Sequence, residues 1–290
     1  MGLIVMTGAT SGIGRVAAEH LADGGARIIA GVRSNGLPAG VEGRSLDLAS
    51  LSSVRDFAEG LPQSVDALVL NAGMQMQSIA QRSADGYELT FAANHLAHYL
   101  LARLALPRIA EGGRIVFTSS GTHDPREKTG IPAPRHADAR RLADPASDTQ
   151  AAKSATAAGM RAFSTSKLCN LMTARTMAAL PEVRARNIAV HAYDPGFIPA
   201  TGLARTAPSV VRGLILPILA RFPVLKGMNS LADGGAALAG LADGSIDGPR
   251  VYMSLRKGRP TWPDPSDLAR DDAKCAALWR DSAGLVGLPV

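Results

Sequence analysis

A strand-like run, Leu3–Thr7, leads into Gly8-Ala9-Thr10-Ser11-Gly12-Ile13-Gly14 and then into a helical pattern. Glycines at positions 8, 12 and 14 let the main chain turn tightly and approach an anion with no Cβ in the way. The helix that follows begins with N–H groups that have no intrahelical partner and with a partial positive charge. Together Gly8, Thr10, Ser11, Gly12, Ile13 and Gly14 read as a cradle for the pyrophosphate of a dinucleotide. The spacing is Gly-x-x-x-Gly-x-Gly rather than the plain dinucleotide fingerprint, and its weight comes from its place between a first strand and a helix.

The second strand-like run, Arg27–Val32, ends at Arg33. A site for NAD usually has a carboxylate near this point to bond the ribose 2′-hydroxyl. Arg33 offers a planar cation instead, which suits a 2′-phosphate, so the expected cofactor is NADP(H).

The elements that must position these residues follow from short apolar runs alternating with helical patterns. Strands are expected at Leu3–Thr7, Arg27–Val32, 67–70, 114–118, 188–193 and 250–253, with a weaker one at 44–46. Helices are expected over 14–22, Leu51–Glu59, 85–109, 160–180 and 230–241. Such alternation predicts an α/β fold: a single Rossmann-type, doubly wound parallel sheet with helices on both faces, spanning 1–290. Residues 121–158 have little periodicity and fall between two groups of catalytic-type residues, so they are expected to wall a substrate entrance. The segment 200–228 is expected to form a lid, and Phe197, Leu214, Ile215, Leu216, Ile218 and Leu219 point to a hydrophobic small-molecule substrate.

Composition narrows the classes. Of 290 residues, 46% are hydrophobic and 19% charged, which is globular rather than disordered. The net charge of +6 is scattered, with no basic stripe interleaved with aromatics, which excludes nucleic acid as a partner. The apolar stretch 209–228 holds Arg212, Pro217, Arg221 and Pro223, which argues against a membrane span. Cys169 and Cys275 lack metal-ligand spacing and read as buried thiols in a reducing compartment, and Met1-Gly2-Leu3 runs straight into a strand with no signal-peptide features. A cytoplasmic protein, monomer or homo-oligomer, is expected.

Further stretches, taken in order with the TGATSGIG turn, resemble the short-chain dehydrogenase/reductase family. Asp47-Leu48 resembles its adenine-ring contact, and Asn71-Ala72-Gly73 its motif after the fourth strand. Asn94 in NHLAHYLL resembles its catalytic asparagine, and Ser120 at the end of IVFTSS its catalytic serine. Lys167 resembles its active-site lysine, and Pro195, Gly196 and Ile198 its nicotinamide loop. The stretches NHLAHYLL, SKLCN and LWRDSAGLVGL are most similar to the retinol dehydrogenase and protochlorophyllide reductase-like branch. The resemblance implies hydride transfer between the nicotinamide and a substrate carbon. It also implies a tyrosine as proton donor, a lysine that lowers that phenol's pKa and holds the ribose, a serine on the substrate oxygen, and an asparagine that holds a water.

The departure is at the donor. Tyrosine and lysine must be four residues apart to share a helix face, and four before Lys167 stands Phe163. Three readings stay open: a deliberate Tyr→Phe variant, a natural phenylalanine with an acceptor such as an iminium or an activated alkene that needs no phenol, and a non-catalytic NADP(H)-binding protein. Of the remaining residues, Asp194 reads as a cap on the turn that follows it, or as an alternative acid. His95 and His98 read as ordinary helix residues, and His123 as either a pocket wall or a solvated loop residue.

Overall fold

The computed structural model describes residues 2–33, 36–147, 154–199 and 228–290. Eight strands make one sheet: β1 (Leu3–Thr7), β2 (Arg27–Val32), β3 (Val41–Ser45), β4 (Val65–Leu70), β5 (Ile109–Thr118), β6 (Ala189–Asp194), β7 (Tyr252–Arg256) and β8 (Arg259–Thr261). Their order is β3-β2-β1-β4-β5-β6-β7-β8, and every neighbouring pair is parallel except β7 with β8. The inner strands are apolar on both faces, as a sheet covered on both sides requires; Ile4, Val5 and Met6, Ile28 and Ile29, Leu68 and Val69, and Ile115 and Val116 are all buried.

The helices are α1 (Gly12–Asp23), α2 (Leu51–Glu59), α3 (Leu89–Phe91), α4 (Ala97–Ala105), α5 (Ala139–Ala143), α6 (Ala155–Ala179), α7 (Pro181–Ala185), α8 (Leu231–Asp243), α9 (Asp267–Arg270) and α10 (Asp272–Leu285). Helices α1 and α8 cover one face of the sheet, with Ile13, Ala17, Leu21, Leu238 and Leu241 in a shared core. Helices α2, α4, α6 and α10 supply the core on the other face. No helix among the described residues is long and apolar enough to cross a membrane.

The structure corrects several boundaries. The helix expected over 85–109 is α3, then a π-helical turn at Ala92–Leu96, then α4, and β5 already begins at Ile109. Helix α6 starts at Ala155 rather than 160, because the Ser154 side chain caps it by accepting from Ala157 N. The expected loop 121–158 therefore gives up its last residues to that helix, and it also holds α5. Strand β3 lies ahead of the expected 44–46 because its exposed edge residues mask the apolar signal. Strand β8 went unread since Arg-Pro-Thr is short and carries an edge proline. The expected lid, 200–228, lies outside the described residues apart from Met228.

Candidate functional site

Six of the chemically distinctive segments lie just past the C-terminal ends of parallel strands. The glycine turn follows β1, Arg33 follows β2, Asp47-Leu48 follows β3, Asn71–Gly73 follows β4, Ser120 follows β5, and Pro195-Gly196 follows β6. Because β1 and β4 are neighbours, with β1 leading outward to β2 and β4 leading the other way to β5, the two connections diverge and open a crevice there.

The glycine turn is shaped as its sequence demands. Gly12 has φ +60°, and a Cβ built on it meets nothing within 4 Å. A Cβ on Gly14 would lie 2.1 Å from the Gly8 carbonyl oxygen, so the turn can close only on glycine. Ser11 occupies the N-cap of α1 without any side-chain cap bond, which leaves the first N–H groups of the helix free for an anion.

Thr7, Asn71 and Asn94 build the floor of the crevice. The Thr7 hydroxyl accepts from Asn71 N and Ala72 N, each at 3.0 Å. The Asn71 amide donates to the Gly8 carbonyl at 3.2 Å and accepts from the Thr118 hydroxyl at 3.2 Å, tying β1, β4 and β5 together. Asn94 sits in the π turn, where the Met74 main chain holds its amide in both directions at 2.8 Å and Ser166 Oγ accepts from it at 3.0 Å. The π turn leaves the Asn94 carbonyl available, and His98 Nδ1 lies 3.0 Å from it. A carbonyl only accepts, so Nδ1 carries the proton. His98 Nε2 then accepts from the Thr7 hydroxyl at 3.0 Å.

Helix α6 brings Phe163 and Lys167 to the same place. Lys167 Nζ donates to the Thr118 carbonyl at 3.0 Å and stands 5.7 Å from the centre of the Phe163 ring. Burial lowers the lysine pKa to about 8. The two serines after β5 divide their roles: Ser119 Oγ donates to the Lys167 carbonyl at 2.9 Å, whereas Ser120 is only half-buried and its Oγ accepts from Thr122 N. Asn170 also donates to the Thr118 carbonyl and faces His95 Nδ1 at 3.3 Å, while His95 Nε2 lies 3.0 Å from Ser282 Oγ of α10.

Both histidines lie on helical elements and are fully buried. Burial lowers His95 to about 4, and burial aided by the Lys167 charge lowers His98 to about 3. Both values lie below the 6.5 of a free imidazole, so between them the unfolded chain binds more protons than the folded one. The stabilisation is complete above pH 6.5 and is lost as pH falls towards 4. Urea unfolding is expected to show stability falling by about 1.4 kcal/mol per pH unit for each histidine in that window. A His95→Gln variant is expected to flatten the slope, and an unchanged slope would contradict this assignment.

At the far end of the crevice, a groove of about 450 Å³ is lined by Val32, Arg33, Gly36, Leu37, Gly43, Arg44 and Ser45. Among the described residues no carboxylate pairs with Arg33, whereas Arg44 is held by Glu42 at 2.7 Å. Asp47 is exposed, its Oδ1 capping Ala49 N, and Leu48 packs partly against the core.

The loop after β6 is pinned from both sides. Asp194 is buried and caps the turn, with Oδ1 accepting from Gly196 N at 2.9 Å. Its Oδ2 is occupied by Tyr252, Ser254 and Arg256. Asn229 donates to the Pro195 and Leu255 carbonyls at 2.7 and 2.8 Å, a positioning role that nothing near it in the sequence signals. The Ile198 side chain is buried against α8, so it can offer the crevice only main chain, while Phe197 is 57% exposed. His123 is buried rather than solvated: its Nδ1 donates to the Ser120 carbonyl at 2.7 Å and its ring packs edge-on to Tyr252. Both cysteines are free and buried.

The model of the short chain dehydrogenase family matches residues 2–130. Protochlorophyllide reductase A of Oryza sativa subsp. japonica, a chloroplastic protein, is 33% identical over 99% of this chain and 81% of its own length. The solved structure of a protein of unassigned function from Mycobacterium paratuberculosis is 29% identical, with a TM-score of 0.72 over 100% of this chain and 96% of that one. A protein from Beutenbergia cavernae, described as an NAD(P)-dependent gluconate 5-dehydrogenase and solved with bound NADP, is 25% identical with a TM-score of 0.58 over 83% of this chain and 89% of that one.

Proposed function

The chain belongs to the short chain dehydrogenase family, and from that premise we propose that it is an NADP(H)-dependent oxidoreductase acting on a carbonyl, imine or activated alkene of a hydrophobic small molecule. The observation that carries this reading is the convergence of the glycine turn, Ser120 and Lys167 on one crevice where the strand connections diverge. The residues present fit the cofactor. Uncapped N–H groups at the start of α1 and the open space at Gly12 suit a pyrophosphate. The Arg33 guanidinium on its groove, with no carboxylate partner among the described residues, suits a 2′-phosphate.

In this reading Gly8, Thr10, Ser11, Gly12, Ile13 and Gly14 hold the pyrophosphate. Arg33 holds the 2′-phosphate, Asp47 and Leu48 face the adenine, and Asn71, Ala72 and Gly73 line the middle of the crevice. Pro195, Gly196 and the Ile198 main chain meet the nicotinamide end, and Lys167 reaches the ribose beside it. When bound, the cofactor supplies a hydride equivalent. Ser120 orients the substrate oxygen, since its hydroxyl is the one not spent on the helix backbone. His123 holds the Ser120 carbonyl, and the network of Asn94, His98 and Thr7 fixes the floor. Phe163 takes the place of the phenol donor and packs without offering a proton. The exposed Phe197 supports an apolar substrate, with the lid 200–228, a wall at 121–158, one domain over 1–290 and a cytoplasmic location as further parts of the proposal.

Packing of Phe163 without any donor also suits a protein that binds NADP(H) and turns nothing over. Stopped-flow oxidation of NADPH against a panel of apolar ketones, enones and cyclic iminium ions separates the two. Turnover of at least one acceptor is expected; tight NADPH binding with no oxidation by any of them would favour the binding protein.

A further inference from the structure

The site presents an arrangement that a phenol-bearing one would not need. The Phe163 ring carries no donor, and almost every other hydroxyl near it is already committed. Ser164 Oγ donates to the Pro132 carbonyl at 2.6 Å, Ser166 Oγ to the Phe163 carbonyl at 2.7 Å, and Ser119 Oγ to the Lys167 carbonyl. Thr118 donates to Asn71, and Thr7 to His98. Ser120 keeps a free hydroxyl proton, but an unassisted alcohol is too weak an acid to give it up.

Lys167 is different. Of its three N–H bonds, one goes to the Thr118 carbonyl, and among the described residues no carboxylate pairs with the ammonium. The charge is buried, and its pKa is lowered by burial alone. Nζ lies close beneath Gly73, which is exposed: a Cβ there would be 3.2 Å from Nζ, so a glycine rather than a side chain lies between the buried amine and the crevice. Resting on the reading above, we propose that Lys167 itself, in place of the absent phenol, donates the proton to the carbonyl oxygen of a neutral acceptor.

The balance is complete. When bound, the reduced nicotinamide would supply the hydride equivalent of the new C–H bond, with the C=O π pair moving to oxygen. One N–H bond of the Lys167 ammonium breaks, and its proton closes the O–H bond. The products are an alcohol, the oxidised nicotinamide and a neutral amine, which solvent reprotonates. The same uncompensated cation disfavours a preformed iminium, because like charges would meet in a low-dielectric site.

Two measurements test this. Reduction of an apolar ketone by wild type is expected to fall tenfold per pH unit above an inflection near pH 8, since an acid must be protonated to act. Among the described residues, His98 is the other titratable group facing Lys167; it stays neutral above about pH 3 and cannot produce that limb, while Thr118, Gly73 and Phe163 present no titratable group. NMR of a methylene-labelled lysine at 167 should show the same inflection without any turnover. A Lys167→Arg variant keeps the charge but cannot release the proton. Its NADPH affinity is measured by titration so that ketone reduction is compared at saturating cofactor, where the rate is expected to fall at least about 100-fold and the alkaline limb to disappear. Persistence of the rate or the limb in that variant, or a lysine inflection far from the kinetic one, would overturn the proposal. So would faster turnover of a cyclic iminium than of ketones. Binding of NADPH with no ketone reduced at any pH sinks the acid role and leaves the cofactor reading standing; no binding by wild type sinks both.

Discussion

A Phe163→Tyr variant is expected to reduce ketones about 100-fold faster than the wild-type chain, at unchanged NADPH affinity. Positioned acid–base catalysis typically contributes 10²–10⁴-fold, about 3–5 kcal/mol of barrier. The lower end applies here because Lys167 already supplies a proton in our account, and the phenol would add orientation and a shorter path. The ring is buried one helical turn from Lys167 on the same face of α6, with Nζ 5.7 Å from its centre, so a hydroxyl on it would come under the lysine charge. That charge favours the phenolate form and brings the phenol's pKa towards the working range. Single-turnover kinetics with saturating NADPH read the effect directly. No gain, with the variant folded and binding NADPH, would mean that position 163 does not face the reacting oxygen.

The second large effect separates binding from folding within the glycine turn. Gly12→Val places its side chain in open space, at the proposed pyrophosphate position, and among the described residues nothing beyond its own chain neighbours and helix backbone lies within 4 Å of the new Cβ. Its structural cost is the positive φ alone, about 1–2 kcal/mol. NADPH affinity is expected to fall by at least about 100-fold, or about 2.7 kcal/mol. Gly14→Val behaves differently, because its Cβ would lie 2.1 Å from the Gly8 carbonyl oxygen and 2.3 Å from Asn71 Nδ2. The turn and the Asn71 tie must both give way, so the unfolding midpoint should drop along with binding. Gly24→Ala, at the end of α1 with φ −72° and its nearest contact at 3.4 Å, is the control that should change neither. Unchanged NADPH affinity in Gly12→Val would place the anion elsewhere.

The sheet was legible because its inner strands are apolar on both faces, and six runs stood out from the helical patterns between them. Edge strands were harder: β3 is mostly exposed and β8 contains a proline, so neither carries a continuous apolar run. The glycine turn, Ser120 and Lys167 could be found from residue type and order alone. The π turn at Ala92–Leu96 could not, since one extra residue per turn leaves no mark on an apolar pattern already buried on every side. That turn frees the Asn94 carbonyl for His98, so the role of His98 was hidden with it. His123 and Asn229 act through contacts with distant segments, His123 with Tyr252 and Asn229 with Pro195 and Leu255, which no local spacing reports. Asp194 was readable as a turn cap because its partner, Gly196, is only two residues away.

In the proposed function, the crevice past β1 and β4 grips a dinucleotide through its phosphates, with Arg33 choosing the phosphorylated one. Calorimetric titration of the purified chain with NADPH and with NADH tests it most directly. NADPH is expected to bind at least about tenfold more tightly, a difference of about 1.4 kcal/mol, and Arg33→Glu to abolish the preference. Equal affinity for the two, or heat from neither, would contradict it.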